Sequence, residues 1–421
     1  SANMKPRNLI IIFTALCLLV ALLLSISFFS LIFGFVSQDR IAFGLRFDDK
    51  PLTGLTKSEA QHMFEKKAEA VIPDVPVVLT DEAKLYPIKR AAIALNADTE
   101  AALDKAYSAG RSGSRLEQIT DALDCAIRGR TITLKGIWDE EKLQNELKKI
   151  TASIERQPIE GCVWLESTGI HHRPPASGLH VDMEALDEEL VPKLTELCVP
   201  HTFQLPIETI PPKVPAEAFA SIDAVLSEYS TFYNPSSNRG ENIAIAASKL
   251  NQVIIQPGEE FSFNGTVGGR VVSAGYLDAP VIIDGKVEQD IGGGVCQVSS
   301  TLYNAVLLAG LTPTMRTSHF YPSDYVPAGL DATVADGQID FCFRNDLPHS
   351  VYLLAGAAGG TLTVTVLGSS QDARSYGLTT EITGPNPTVD VYRVTYENGA
   401  VIGSEYLHTD TYDIPQENNA H

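Results

Sequence analysis

One apolar run limits what this chain of 421 residues can fold into. Leu9 to Val36 contains no charged side chain, and its length of about 28 residues exceeds the roughly 20 a helix needs to cross a bilayer. Lys5 and Arg7 precede the run and no comparable basic cluster follows it. The positive-inside rule then places the N-terminus in the cytoplasm and everything after Gln38 outside. A cleaved secretory signal is the rival reading, but its apolar stretch is only about 7–15 residues and ends on small side chains. Here the run ends on Phe28, Phe29, Leu31, Phe33 and Phe35. The expectation is an uncleaved signal-anchor over 9–36 and a single-pass protein of the cell membrane with an extracytoplasmic remainder. Residues 1–8 form the cytoplasmic tail, in which Ser1-Ala2-Asn3 ahead of Met4 reads as a cloning remnant.

The formal charge of −20 argues against a nucleic-acid partner, because neutralising phosphates takes clustered Lys and Arg. Hydrophobic residues make up 44% and charged residues 20%, enough apolar surface for real cores, so general disorder is excluded. Six cysteines are too few for a disulfide scaffold of this length. Cys17 lies in the apolar run, which leaves an odd number outside: Cys125, Cys162, Cys198, Cys296 and Cys342. At least one of these stays unpaired within the chain. Cys162 and Cys198 flank one segment and form a candidate pair.

Beyond the run the patterning reads as multidomain α+β. Thr56 with Glu59 makes a capping box, and Ala60, Met63, Phe64 and Ala68 follow at helical spacing. A short strand, Val75 to Leu79, comes next, and Pro76 suits an edge position. Leu95-Asn96-Ala97-Asp98 then caps a helix carrying Ala102, Leu103 and Ala106. The order recurs: Asp139 ahead of Leu143, Leu147 and Ile150, a strand over Cys162-Val163-Trp164-Leu165, and Leu179-His180-Val181-Asp182 ahead of Leu186, Leu190 and Leu194. This predicts two duplicated α+β units, 39–130 and 131–214. The Pro-marked stretch Pro206 to Pro215 reads as extended linker. A mixed α+β domain follows over 215–370, then a tail over 371–421 that makes the C-terminal end β-rich. In that tail Val391 to Tyr396 alternates, Glu397-Asn398-Gly399 turns a hairpin, and Pro415 to His421 is expected to be disordered.

The chemistry concentrates in Gly292-Gly293-Gly294-Val295-Cys296-Gln297-Val298-Ser299-Ser300-Thr301-Leu302-Tyr303-Asn304-Ala305. Consecutive glycines permit positive φ and close backbone approach. Val295, Val298, Leu302, Ala305, Val306 and Ala309 then form a buried helical stripe that Gly310 ends. Cys296 falls in the first helical turn, just off that stripe. The helix dipole there favours a thiolate, and free N–H groups can hold an oxyanion. A nucleophilic Cys needs a base, and the base needs orienting. His319, at a strand or strand end, is the candidate base, with His349 as its rival. Asp331 either orients His319 or caps the turn after Gly329, and Tyr325 is a further candidate. Gly293 and Gly294 are oxyanion candidates. Gln297 either donates to an oxyanion or serves as a solvent-facing or capping residue. Arg270, after Gly268-Gly269 in a hairpin-like turn, either pairs with a substrate carboxylate or is a surface Arg. Asn234 to Asn242 reads as a polar loop feeding a helix from Ile243, with Arg239 and Asn242 open to a place near the site. No HExxH, CxxC, P-loop or post-strand GxGxxG is present, so neither metal nor cofactor is expected.

These motifs resemble the VanW domain. The likeness runs through Glu259-Glu260-Phe261-Ser262-Phe263-Asn264, Gly275-Tyr276, the Gly292–Ala305 run, His319, Tyr325-Val326-Pro327, Gly329 to Val334 and Asp340 to Asn345. It covers about 232–352, and its Gly-Gly-Gly-x-Cys-Gln core is highly specific. Through their Leu-x-x-Asp helix starts, the two upstream units resemble the peptidoglycan-binding domains that precede VanW domains in Gram-positive bacteria. Many relatives carry a further small β-rich module, of which this tail shows no clear copy. The VanW name comes from association with glycopeptide-resistance clusters and says nothing about chemistry.

Some VanW-domain proteins are held to be L,D-transpeptidases. The resemblance then implies peptidoglycan stem peptides as partners and a 3–3 cross-link made through a Cys296 acyl-enzyme. Two other readings stand beside it: a non-catalytic wall-binding or scaffold protein, and a cysteine peptidase or amidase that hydrolyses wall peptides.

Overall fold

The computed structural model describes residues 6–71, 76–197, 202–283, 286–384 and 387–414. Ser1 to Lys5, Val75, Cys198 and Pro415 to His421, on which some expectations above rest, lie outside these residues. The apolar run forms one helix, α1 (Pro6–Ser37), long and apolar enough to cross a membrane. The chain then divides into two compact units. The first comprises Ser1–Gln157 and Gly178–Ile210, the second Pro158–Ser177 and Pro211–His421. The division is not linear: 158–177, expected within the second repeat, joins the later unit.

In the first unit the helices are α2 (Lys57–Val71), α3 (Thr99–Ser108), α4 (Arg115–Arg128), α5 (Glu140–Ala152) and α6 (Met183–Thr195). Their starts follow local chemistry. Thr56 and Glu59 bond reciprocally as a capping box, and the carboxylates of Asp98, Asp139 and Asp182 accept first-turn N–H groups. Two cores result, and they interleave along the chain. One gathers Ile41, Leu45, Phe47, Phe64, Leu103 and Ile132. The other gathers Val77, Leu79, Ile88 and Ile93 with Leu143, Leu147, Leu186, Leu190 and Phe203. The strand Val77–Thr80 is central, not an edge: it pairs parallel with Thr202–Gln204 and antiparallel with Leu85–Ile88. Pro76 is tolerated because it precedes the ladder and removes no ladder donor. The C-terminal end of α1 packs here too. Ile32 is buried, and Arg111 donates to the carbonyls of Val36 and Arg40, placing a cation at the negative end of the helix.

The second unit contains α7 (Ala216–Ala220), α8 (Asn238–Leu250), α9 (Phe263–Val267) and α10 (Val295–Leu308). An antiparallel sheet runs in the order Ala224–Phe232, Thr361–Gly368, Val351–Ala358, Val253–Ile255. A second sheet joins Glu260–Ser262, Cys342–Arg344 and Thr312–Met315. Helix α10 packs against the first sheet, α8, Thr312–Met315 and Ser375–Ile382. It is therefore buried all round, not along a single stripe. Helix α8 starts earlier than expected, because Ser237 caps it by accepting from Gly240 N–H; Arg239 and Asn242 thus lie on a helix. The tail folds into a three-stranded antiparallel sheet, Ser375–Ile382, Thr388–Glu397 and Ala400–Thr411. Its two-residue turn sits at Asn398 and Gly399, both with positive φ, as the hairpin signal requires. Val389, Val391 and Tyr412 carry that sheet into the main core of the unit.

Candidate active site

The glycine triplet shapes the entry to α10. Gly292 and Gly294 adopt φ of 87° and 107°, and Gly294 is the N-cap. Gly293 is required for space: a Cβ there would lie 2.7 Å from the carbonyl oxygen of Pro280 and 2.8 Å from that of Ala279. Asn242, fully buried on α8, locks the turn. Its amide donates to the carbonyls of Gly293 and Leu277, and its oxygen accepts from Leu277 N–H. Of the first-turn amides, Val295 donates to Gly292 and Gln297 to Gly294. The Cys296 N–H has no acceptor among the described residues, which leaves it free for an incoming oxygen.

The polar residues of α10 have a common task. Ser299 donates to Ala332 O at 2.6 Å, Ser300 accepts from Ala332 N–H at 2.9 Å, and Asn304 donates to Leu330 O at 2.7 Å. The helix thereby pins the segment that carries Asp331, and the Cys296 thiol rests 3.4 Å from Val334 O. The segment after Thr312–Met315 runs alongside, joined through Thr333 N–H to Thr317 O. His319 consequently meets Asp331 twice: its backbone N–H donates to Oδ2 at 2.7 Å, and its Nδ1 pairs with the same oxygen at 2.5 Å. With Nδ1 committed, the other ring nitrogen is left for Cys296, whose ionisation and that of the imidazole influence each other. His319 is thus bonded to the Asp331 carboxylate and electrostatically linked to the Cys296 thiol.

The electrostatics follow from these contacts. Burial opposes ionisation of Cys296, but the hydrogen bond and charge of His319, helped by Arg270, outweigh it and lower the thiol below its ordinary pKa. Burial likewise opposes charge on His319, and its bonds to Asp331 and Cys296 overcome this, pushing it up to about 9. Asp331 is 1% exposed, yet the bonds from His319 and Tyr412 and the charge of Arg316 keep its carboxyl below the usual range. The buried Cys342, beside Asp340, behaves oppositely and is pushed up to about 11. His349 has its own carboxylate, Asp372, at 3.0 Å.

Several expected residues take other roles. Gln297 is 1% exposed and does not face solvent; its amide donates to Thr231 Oγ1 and Phe232 O, tying α10 to the sheet. Arg270 is not a surface residue. It lies between α9 and a single 3₁₀ turn, Val272–Ala274, where it pairs with Asp336 and donates to Asn264 Oδ1 at 2.8 Å. Tyr325 lies beneath the guanidinium of Arg239; burial, then the charge of Cys296, pushes its hydroxyl pKa up. The residues that the sequence reading missed stand behind Asp331. Tyr412 OH donates to Asp331 Oδ1 at 2.5 Å and accepts from Gly329 N–H at 2.7 Å. Arg316 bridges Asp331 and Asp410. Only the Arg316 position, three residues before His319, carried a local signal. Among the described residues no cluster of His, Cys, Asp and Glu is placed to hold a metal ion.

Comparison with known proteins gives two family matches. Residues 238–367 match the model described as "VanW like protein", and residues 86–197 match the one described as "Putative peptidoglycan binding domain". That second match runs across position 130, where a boundary between two repeats was expected. The uncharacterized protein YoaR of Bacillus subtilis (strain 168) is 35% identical over 263 residues, 59% of this chain and 86% of that protein. The vancomycin B-type resistance protein VanW of Enterococcus faecalis (strain ATCC 700802 / V583) is 34% identical over 131 residues, 30% of this chain and 48% of that protein. No solved structure matches.

Proposed function

This chain belongs to the VanW family, and from the joining of Cys296, His319 and Asp331 we propose that it is a cell-wall cysteine acyltransferase, an L,D-transpeptidase anchored in the membrane by α1. The observation that carries the reading is the His319 imidazole, bonded to a buried carboxylate and electrostatically linked to the thiol. An imidazole so placed is what activates a cysteine nucleophile. The peptidoglycan-binding match upstream supports a cell-wall-related setting, and stem peptides are the substrate this reading calls for.

In the proposed reaction the Cys296 thiolate attacks the carbonyl carbon of the third stem residue. The carbonyl oxygen takes the negative charge and is met by the free Cys296 N–H at the dipole end of α10. The C–N bond to the terminal D-alanine breaks, and the leaving amine takes its proton from His319. A side-chain amine from a second stem then attacks the thioester, gives its proton to His319, and forms the new amide as the C–S bond breaks. Asp331 keeps the imidazole in one tautomer and orientation throughout.

The test incubates the detergent-solubilised full-length protein, and its Cys296→Ala variant, with disaccharide-tetrapeptide muropeptides and reads the products by mass spectrometry. The expected product is a dimer lacking one alanine, absent with the variant. Tripeptide without dimer would make the protein a hydrolase. A folded protein that yields neither product but binds wall sacculi would be a non-catalytic wall-binding module.

A further inference from the structure

The basic residues around the Cys296 centre are not equivalent. Arg270 is ion-paired with Asp336 and donates to Asn264, its buried Nε alone lacking a partner among the described residues, and Arg316 is paired with Asp331 and Asp410. Arg239 differs: among the described residues its guanidinium makes no ion pair and no side-chain hydrogen bond. Its place is nonetheless well defined. It sits in the first turn of α8, behind the Ser237 cap. Its side chain passes over the start of α10 so closely that a Cβ on Gly294 would lie 2.8 Å from Arg239 Cγ. The guanidinium then lies over the Tyr325 ring, 5.7 Å from its centroid, a cation–π position that limits the freedom lost when a ligand is gripped. Its charge reaches Cys296. Arginine stays protonated in proteins even when half-buried. A prepositioned, half-buried cation near a nucleophile, with Asp324 acting on it only at a distance and no group among the described residues bonded to it, is open to an incoming anion.

The proposed donor brings such an anion. When the acyl carbon is attacked, the leaving residue is the last of the stem, and its free carboxylate sits two bonds beyond the scissile nitrogen. A cation set beside the thiol is where that group needs a partner. We infer that Arg239 is the carboxylate-recognition residue of the donor site, which selects peptides whose attacked bond is followed by one terminal residue with a free carboxylate. Arg270, the candidate for this role by sequence, is already neutralised by Asp336. The inference rests on the transpeptidase reading for the identity of the donor, but recognition of a terminal carboxylate is a binding property that can be read without turnover.

The test therefore uses binding first. The full-length Cys296→Ala protein in detergent is titrated calorimetrically with a disaccharide tetrapeptide ending in D-alanine and with the same muropeptide as its C-terminal carboxamide. The carboxylate form should bind roughly ten- to a hundredfold more tightly, the range of a charge-assisted bidentate bond. Arg239→Gln in that background should remove the difference by weakening only the carboxylate form, and Arg239→Lys should restore part of it. An unchanged thermal midpoint in Arg239→Gln shows that folding is intact. Equal binding of the two forms, no binding of either, or an equal loss of both in Arg239→Gln would overturn the assignment. A parallel turnover assay with Cys296 present separates the two proposals. Carboxylate discrimination without any acyl transfer would sink the transpeptidase reading and leave Arg239 standing. Acyl transfer that treats both forms alike would do the reverse. If Arg239 served only the thiolate, its Gln variant would slow both donors equally and move the thiol's alkylation profile to higher pH.

Discussion

Cys296 and His319 each shift the other toward its charged form. The thiol is lowered against the cost of its own burial, and the imidazole is pushed up to about 9. A group raised above its unfolded value stabilises most at low pH. The His319 contribution is fully present below about 6.5 and is lost as pH climbs through about 9. The Cys296 contribution runs the other way and is lost as pH falls through its lowered value. Two outcomes are expected. Iodoacetamide should label Cys296 rapidly at pH values where ordinary thiols are protonated, and in His319→Gln the midpoint of that pH profile should move up, since burial is then opposed only by lesser effects such as the charge of Arg270. The difference in thermal midpoint between wild type and His319→Gln should shrink as pH rises past 9. Tyr412 makes a separate claim at this scale. Its hydroxyl both holds Asp331 and satisfies Gly329 N–H, so Tyr412→Phe leaves a buried amide without a partner. Differential scanning calorimetry should record a loss of roughly 1–3 kcal/mol. Turnover should fall by an order of magnitude or so, as Asp331 loses a fixed orientation.

At the scale of elements, the glycine turn and α10 act as one device. The helix places the thiol at its positive end, and its serines and Asn304 hold the Asp331 segment. The turn leaves no room for side chains. Gly293→Ala would drive a methyl into two backbone carbonyls, which cannot rotate away as a side chain would. The expected cost is roughly 1–3 kcal/mol, read as a drop of several degrees in thermal midpoint, together with slower Cys296 alkylation because the first turn is displaced. Gly→Ala at Gly258, where nothing lies within 4 Å, is a poorer control for space because its φ of 78° adds strain of its own; Gly356, open and without that φ, is the better one. The polar residues of α10 were legible in the sequence as a motif but not as an assignment. Nothing local says that Gln297 turns toward the sheet while Ser300 turns toward Asp331.

Across the whole molecule, the C-terminal sheet is an integral part of the second unit. Val389, Val391 and Tyr412 are fully packed in its main core, and Asp410 and Tyr412 complete the network behind Asp331. Deleting residues 371–421 is therefore expected to abolish cooperative unfolding of that unit and all Cys296-dependent turnover. Near-UV circular dichroism and the muropeptide assay would show this, and a stable, active truncation would refute it. The sequence by itself determined what depends on neighbours along the chain: the long apolar helix, the capped helix starts at Asp98, Asp139 and Asp182, the two-residue hairpin turn, and a glycine-loop cysteine at a helix N-terminus with a histidine and an aspartate downstream. Each rests on short-range sterics, capping or periodicity, which a linear string records. Only the tertiary structure decided which of those residues meet. It gave Asp331 to His319, drew Tyr412 from the far end of the chain, neutralised Arg270 and left Arg239 with an open charge, and split the upstream region into interleaved cores. Those outcomes turn on pairings between segments far apart in sequence. Hydrophobic burial and hydrogen-bond satisfaction select such pairings over the whole fold at once, and no local pattern encodes them.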